Sequence, residues 1–273
     1  MINSDIQILL GDSIGLKLTS VGATTINNAL KRRMRVLGLT EQSDYVKLLK
    51  ITPQELNELI EEVVIPETWF FRDKVPFATL VDFVFEKWSL KEKTKILRVL
   101  SVPCSTGEEP YSICMALFQA GWPSGRLRID AIDISSRAIS RAKSAVYTKN
   151  SFRGSDLDYR DEFFIEKDKN YTLKNSVRNM VHFYHGNLLN RNLIKRLGIF
   201  DIIFCRNIFI YMDESSRELA VSTIHKILDH EGLFFTGHSE AGLFTSSGKF
   251  APYPSPGAFA FIKKRQHIAK SSL

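Results

Sequence analysis

Three carboxylates, two adjacent and one about 26 residues after the turn that precedes them, are the side chains of this sequence best placed to do chemistry. Glu108 and Glu109 follow the apolar run Ile96-Leu97-Arg98-Val99-Leu100 and the turn residues Ser105, Thr106 and Gly107, with Pro110 directly behind. A run of that length and β-branched content suits a short strand buried on both faces of a parallel sheet. Gly107 permits a sharp turn and close backbone approach, and acids followed by proline mark a helix start. The stretch KILRVLSVPCSTGEEPYS, residues 95–112, therefore reads as a strand, turn and helix that cradle a ligand. A phosphate loop shows bare N–H groups and often a lysine, and two carboxylates there would repel the anion. A cation fits better. S-adenosylmethionine carries a sulfonium, an ammonium and a ribose diol, and binds beyond the carboxyl ends of an open α/β sheet. Taken alone, Glu108 and Glu109 can equally be ordinary first-turn acids held by the helix dipole.

The third acid, Asp133, ends a second apolar run, RIDAIDI. At the tip of the strand after a nucleotide-type cradle it is placed to accept both ribose hydroxyls. With Ser135 and Ser136 it is also a candidate N-cap for the following helix. Arg72 stands out in VVIPETWFFRD, because a permanently charged fork among aromatics calls for an anion, either Asp73 or a bound carboxylate. A third buried strand, Phe200 to Cys205, ends in Arg206-Asn207, with Tyr211 just beyond. Residues at its carboxyl end would face the same crevice.

The elements that position these groups follow from composition and periodicity. The chain has 273 residues, is 44% hydrophobic, and carries a formal net charge of +7. That length accommodates one α/β domain and a smaller appended one. No run of about 18 apolar residues occurs, and the first residues, MINSDIQILLGDS, lack the basic charge of a signal peptide, so a cytoplasmic location is expected. Cys104, Cys114 and Cys205 lack metal-ligand spacing and read as reduced thiols. Residues 1–75 form the expected helical domain and 76–273 the sheet domain. Within the first, Ile26, Leu30, Met34 and Leu37 mark an amphipathic helix and Thr52-Pro53 opens another. Lys31, Arg32, Arg33 and Arg35 concentrate four cations in five residues, a solvated face or a dock for an acidic helical partner. A helix from about Phe77 and a charged turn, Lys91-Glu92-Lys93, lead into the first strand. Charge-rich and aperiodic, residues 147–185 read as an irregular crossover with short strands at 171–173 and 180–183, giving a β insertion at about 159–185. Further strands are expected at 232–236 and 258–262.

Six motifs occur in order: VIPETWFFRD, CSTGEEPYS, AIDIS, GNLL, FDIIFCRNIFIYMD and GHSE. Together they resemble the chemotaxis receptor glutamate O-methyltransferases, the CheR family, over nearly the whole chain, and ETWFFRD is most similar to the form found in Wsp-type systems. The resemblance implies a class I S-adenosylmethionine-dependent methyltransferase, an α/β Rossmann-like domain with a small all-helical N-terminal domain and a small β insertion. It implies methyl transfer to the side-chain carboxylate of receptor glutamates. Carried over by motif, Thr68, Arg72, Glu109 and Asp133 would contact the cofactor. Asn187 and Leu188 would flank the adenine, Arg206 and Asn207 would close the site, and Arg72 with Tyr211 would position the reacting groups. Pro66 stands where many relatives carry asparagine.

The partner implied is the acidic helical bundle of a chemoreceptor, which the cations at 31–35 would suit. Relatives tethered to a receptor's C-terminal peptide carry a glycine-containing loop in the β insertion. The segment DEFFIEKDKNYTLKNSVRNMV has none, so direct, untethered recognition is expected. Two other readings share the fold. A nucleic-acid methyltransferase would explain the charge, but CRNIFIY replaces the Asn/Asp-Pro-Pro-aromatic motif of base N-methylases. A non-catalytic cofactor-bound module would bind without transferring.

Overall fold

The structure, a computed structural model, describes residues 4–64, 66–88 and 95–264. The charged turn expected at Lys91-Glu92-Lys93 lies outside the described residues. The N-terminal helices are α1 (Ser4–Ile14), α2 (Leu18–Val21), α3 (Ala23–Leu37), α4 (Gln42–Ile51) and α5 (Pro53–Val63). On α3 the buried positions Ile26, Ala29, Leu30 and Met34 fall at helical spacing. They pack on Ile6, Leu10, Tyr45, Leu49, Leu59 and Val63 to form a core separate from that of the sheet. Pro53 opens α5 at a position where its missing N–H is of no consequence.

The basic segment does not present four cations to solvent. Arg33 continues the apolar stripe of α3, seven residues beyond Ile26, and its side chain is only 12% exposed. Its guanidinium donates to Glu55 at 2.6 and 2.9 Å and to Glu58 at 3.3 Å, and the Tyr45 hydroxyl donates to Glu55 at 2.8 Å. Burial opposes the charged form of Glu55, but the bonds from Arg33 and Tyr45 outweigh it and hold the carboxyl below its usual range. Arg32 pairs with Glu62 at 2.6 Å. Lys31 and Arg35 are exposed.

Among the described residues two sheets form. The larger has the order β6-β2-β1-β7-β8-β10-β9, built from β1 (Leu97–Ser101), β2 (Leu127–Asp133), β6 (Val181–His185), β7 (Phe200–Phe204), β8 (Leu228–Phe235), β9 (Phe250–Pro252) and β10 (Ala260–Lys263). Strands β6, β2, β1, β7 and β8 run parallel, and β10 lies antiparallel between β8 and β9. The chain winds outward from β1 through β2 to β6, then returns to β7 on the other side of β1, which puts the topological switch point between β1 and β7. Alternate residues enter opposite cores. Val99, Ile129, Ile202 and Leu233 pack with α6 (Lys74–Trp88) and α7 (Glu108–Gln119), while Leu100, Ile132, Ile203 and Phe234 face α11 (Arg191–Leu197), α12 (Glu214–Ile227) and α13 (Ala241–Ser246). Helix α8 (Ser136–Ser144) follows β2.

The small sheet, order β3-β5-β4, consists of β3 (Val146–Thr148), β4 (Phe164–Lys167) and β5 (Asn170–Leu173). It therefore begins earlier than the interval 159–185. The expected strand at 180–183 is instead the start of β6, paired from Ile129↔Val181 to Asp133↔His185 on the edge of the main sheet. The β4–β5 hairpin turns at Asp168 and Lys169, both left-handed with φ of 51° and 62°, which is the backbone of a two-residue primed turn made without glycine. No helix among the described residues is long and apolar enough to cross a membrane.

Replacing Arg33 by methionine strands Glu55 inside the helical domain and should cost about 3 kcal/mol of stability in urea unfolding, whereas Lys31→Ala and Arg35→Ala should stay within about 0.5 kcal/mol. Because the folded carboxyl of Glu55 titrates below its unfolded value, its stabilisation is present above the unfolded value and lost as pH falls through the folded one. The methionine variant should therefore lose part of the acid dependence of wild-type stability below about pH 5.

Candidate active site

A pocket opens at the carboxyl ends of β1, β2 and β7, at the switch point. Thr68, Arg72, Glu109, Asp133, Asn187, Leu188, Arg206, Asn207 and Tyr211 all line it. Its remaining wall is largely apolar and includes Ile14, Leu16, Val63, Val64 and Pro66 from the helical side, facing Val102, Ile132 and Ile134 from the sheet. The helical domain thus roofs the crevice. Glu61 of α5 fastens that roof by accepting from the hydroxyls of Ser135 and Ser136 and from the Arg137 N–H, at the start of α8.

The two cradle acids diverge. Glu108 is buried and turned away from the pocket, accepting from Thr106 Oγ1 at 2.6 Å and Ser151 Oγ at 3.0 Å. Glu109 faces the pocket, accepting from Ser101 Oγ at 2.8 Å and Arg206 Nη1 at 3.2 Å. Ahead of them Gly107 has φ of 95°, and a Cβ there would come within 2.9 Å of Ala142, so the turn's glycine lets α8 close against the cradle. The Asp133 carboxylate accepts from the Ser105 N–H at 2.7 Å and the Ser135 N–H at 2.9 Å, one on each oxygen. Capping of α8 falls to Ser135, whose Oγ accepts from the Ala138 N–H, so Asp133 keeps lone pairs for the pocket. Burial pushes both carboxyls up. For Glu109 the nearby Arg206 works against that rise, and for Asp133 the two backbone N–H groups do.

The aromatic segment is held by its own packing. Phe70 is buried against Tyr147, Phe152 and Phe164, and its N–H donates to the Ser151 carbonyl. The Phe71 N–H donates to Ser112 Oγ at 2.9 Å. Arg72 donates to the Glu67 carbonyl at 3.0 Å and lies over the Trp69 ring at 4.5 Å. Asp73 is not its partner. That carboxylate takes Arg206 Nη2 at 2.6 Å, and Arg206 Nη1 also donates to the Arg72 carbonyl at 3.2 Å. Phe71, Asp73, Ser105 and Asn207 all adopt left-handed φ, of 53°, 57°, 48° and 60°. For residues other than glycine such backbone is strained, and here it gathers around one crevice.

Sequence reasoning placed Glu240 only inside the motif GHSE, with no role. It is fully buried and accepts from the N–H groups of Asn207 at 2.8 Å, Phe209 at 2.6 Å, Ile210 at 3.3 Å and Gly237 at 3.0 Å, and from Thr236 Oγ1 at 3.2 Å. One carboxylate therefore shapes the loop that carries Asn207 and Tyr211. The available signal was an acid three residues beyond Gly237, just past a buried strand. Asn187 also does more than line the pocket, since its Nδ2 donates to the Ser13 carbonyl at 2.8 Å and ties the floor to α1. Ser105, read from the sequence as a turn residue, has its Oγ buried without a partner. Glu240→Gln puts an amide donor among N–H donors; we expect a loss of about 2–4 kcal/mol in thermal or urea unfolding and a weakened binding of S-adenosylhomocysteine by calorimetry.

Comparison with known proteins agrees with this layout. Residues 66–258 match the family model "CheR methyltransferase, SAM binding domain", and residues 4–64 match "CheR methyltransferase, all-alpha domain". A probable biofilm formation methyltransferase WspC of Pseudomonas aeruginosa is 42% identical over 95% of this chain and 61% of its own length. Chemotaxis protein methyltransferase 2 of Vibrio cholerae is 33% identical, over 77% of this chain and 76% of that one. The chemotaxis protein methyltransferase of Escherichia coli is 31% identical, over 86% and 82%. The chain spans about three fifths of the length of the WspC relatives, 61% and 60%. With both of its domains matched in order and relatives of this identity over most of the chain, the protein belongs to the CheR methyltransferase family.

Proposed function

We propose that this protein transfers a methyl group from S-adenosylmethionine to the side-chain carboxylate of glutamates in a chemoreceptor-type signalling protein, giving glutamate methyl esters and S-adenosylhomocysteine. The observation that carries the reading is that one pocket brings together the carboxylates of Glu109 and Asp133 with the guanidinium of Arg72, while Arg206 is paired with Glu109 and Asp73. The pocket fits the methyl donor. Its acids suit an ammonium and a ribose diol, its apolar wall suits an adenine, and the orphan hydroxyl of Ser105 offers one more hydrogen bond. When bound, S-adenosylmethionine supplies a sulfonium methyl that is already electrophilic.

Little acid–base work remains for the protein. A glutamate carboxylate is ionised at pH 7, so the residues need only hold it in line with the methyl carbon and sulfur. Asp133 would accept the ribose hydroxyls, Glu109 would face the ammonium, and Thr68, Asn187 and Leu188 would hold the remainder, with Asn187 and Leu188 against the adenine. Arg206 and Asn207 close the floor. Arg72 would steer the incoming carboxylate and Tyr211 would orient it. A strong Arg72–carboxylate bond stabilises the ground state too, so positioning and exclusion of water, not activation, are the contributions assigned to this pair. The partner proposed is an acidic helical bundle, approached by Lys31, Arg32 and Arg35 and met directly, without a tethering peptide. The net charge of +7 would speed the encounter. The glycine-free β4–β5 turn supports the untethered reading.

With radiolabelled S-adenosylmethionine and receptor cytoplasmic fragments, the label should be released by mild alkali as a methyl ester is. Alkali-stable counts would mean an amine or nucleic-acid product, and bound cofactor with no transfer would mean a non-catalytic module. Arg72→Ala should lower transfer by at least about 100-fold with an unchanged melting temperature; unchanged turnover removes Arg72 from the chemistry. Burial raises the carboxyls of Glu109 and Asp133, so their charged forms are lost as pH falls through values above the ordinary carboxylate range. Affinity for S-adenosylhomocysteine should accordingly decline in the mildly acidic range, and Asp133→Asn should bind more weakly at neutral pH with a flatter profile. A wild-type affinity constant down to about pH 4.5 would contradict this assignment.

A further inference from the structure

Trp69 carries two cations, of which only one belongs to the pocket. The guanidinium carbon of Arg72 lies 4.5 Å from its ring centroid and that of Arg153 lies 4.2 Å away. Arg72 lines the pocket, while Arg153 stands outside the lining with its side chain half exposed. Both lie within the roughly 6 Å at which a cation is attracted to an indole face, and sharing one ring puts the two positive charges within about 9 Å of each other. Glu67 bridges them, giving its carbonyl to Arg72 at 3.0 Å and its carboxylate to Arg153 at a long 3.4 Å. That carboxylate is 60% exposed, so the contact is of the weak surface kind that another anion can replace.

The position of Arg153 is fixed from behind. Ser151 holds the Phe70 N–H through its carbonyl and Glu108 through its hydroxyl, and Phe152 is buried and stacked on Phe70 at 5.1 Å. The residue that follows is thus delivered to the pocket mouth by the same contacts that order the cradle and the aromatic segment. Stacking on the indole orients a guanidinium fork in advance and lowers what must be ordered on binding.

We propose that Arg72 and Arg153 form a paired carboxylate receiver on the Trp69 ring, Arg72 taking the glutamate to be methylated and Arg153 taking a second carboxylate one helical turn away on the same partner. The proposal rests on the reading of this chain as acting on glutamates of a helical receptor. Side chains four residues apart on a helix have Cβ atoms about 5–6 Å apart, and two glutamates at that spacing reach both guanidinium groups. Arg153 would then set substrate preference without touching the methyl donor.

Two alanine-based helical peptides test it, one with a single glutamate and one with a second glutamate four residues away, titrated calorimetrically at low salt into protein saturated with S-adenosylhomocysteine. Wild type should bind the two-glutamate peptide about tenfold more tightly. Arg153→Gln should lose that preference while binding S-adenosylhomocysteine as wild type does, and Arg153→Lys should keep part of it, since an ammonium restores charge but not the fork. Equal affinity of wild type for both peptides, or an undiminished preference in Arg153→Gln, overturns the proposal. Because the readout is binding to product-loaded protein, the two readings fail separately. Preference without any base-labile ester on a receptor removes the methyl-transfer reading, and ester formation without preference removes this one.

Discussion

One buried guanidinium joins the pieces of this crevice. Arg206 lies just beyond the end of β7, is 3% exposed at its side chain, and reaches Glu109 of the cradle, Asp73 of the aromatic segment and the backbone carbonyl of Arg72. A charge so deep is tolerable only when its partners are in place, because the desolvation of an unpaired guanidinium amounts to several kcal/mol. The requirement runs in both directions. The cradle, the aromatic segment and the fourth parallel strand of the sheet each need Arg206, and Arg206 needs all of them. The left-handed residues Phe71 and Asp73 are held in that conformation by this bond and by the hydrogen bond of Phe71 to Ser112.

The resulting pocket carries both signs of charge. The carboxylates of Glu109 and Asp133 and the guanidiniums of Arg72 and Arg206 line one crevice, with Glu109 and Arg206 paired to each other. Apolar residues from α1 and α5 line it as well. In that low-dielectric setting each charge is less screened than it would be on an open surface.

Much of this was readable in advance, and what was not has physical reasons. The strands carrying Leu97 to Ser101, Leu127 to Asp133 and Phe200 to Phe204 are largely apolar runs interrupted by Arg98, Arg128, Asp130 and Asp201, and their ends fix where Glu109, Asp133, Arg206 and Asn207 must gather. Arg33 was legible but misleading. Its neighbours Arg32 and Arg35 suggest a cationic surface, while its own register with Ile26 places it on the buried stripe. The limits of the small sheet were obscure because β3 precedes a long irregular stretch, and because Val181 to His185 alternates too weakly to distinguish an edge of the main sheet from part of an insertion. Spacing marked the place of Glu240 but not its role, and gave no sign of Arg153. Their partners are backbone N–H groups and an aromatic ring that only tertiary structure brings near them.

Helix α5 serves both matched domains at once. It packs into the helical core through Leu59 and Ile60, contributes Val63 to the pocket, and sends Glu61 to the first turn of α8. The boundary drawn at residue 65 by domain matching is therefore not a seam along which the molecule divides. Recombination between relatives at that point would exchange half of a shared wall, and a chimera would inherit an α5 and an α8 that had never been matched to each other.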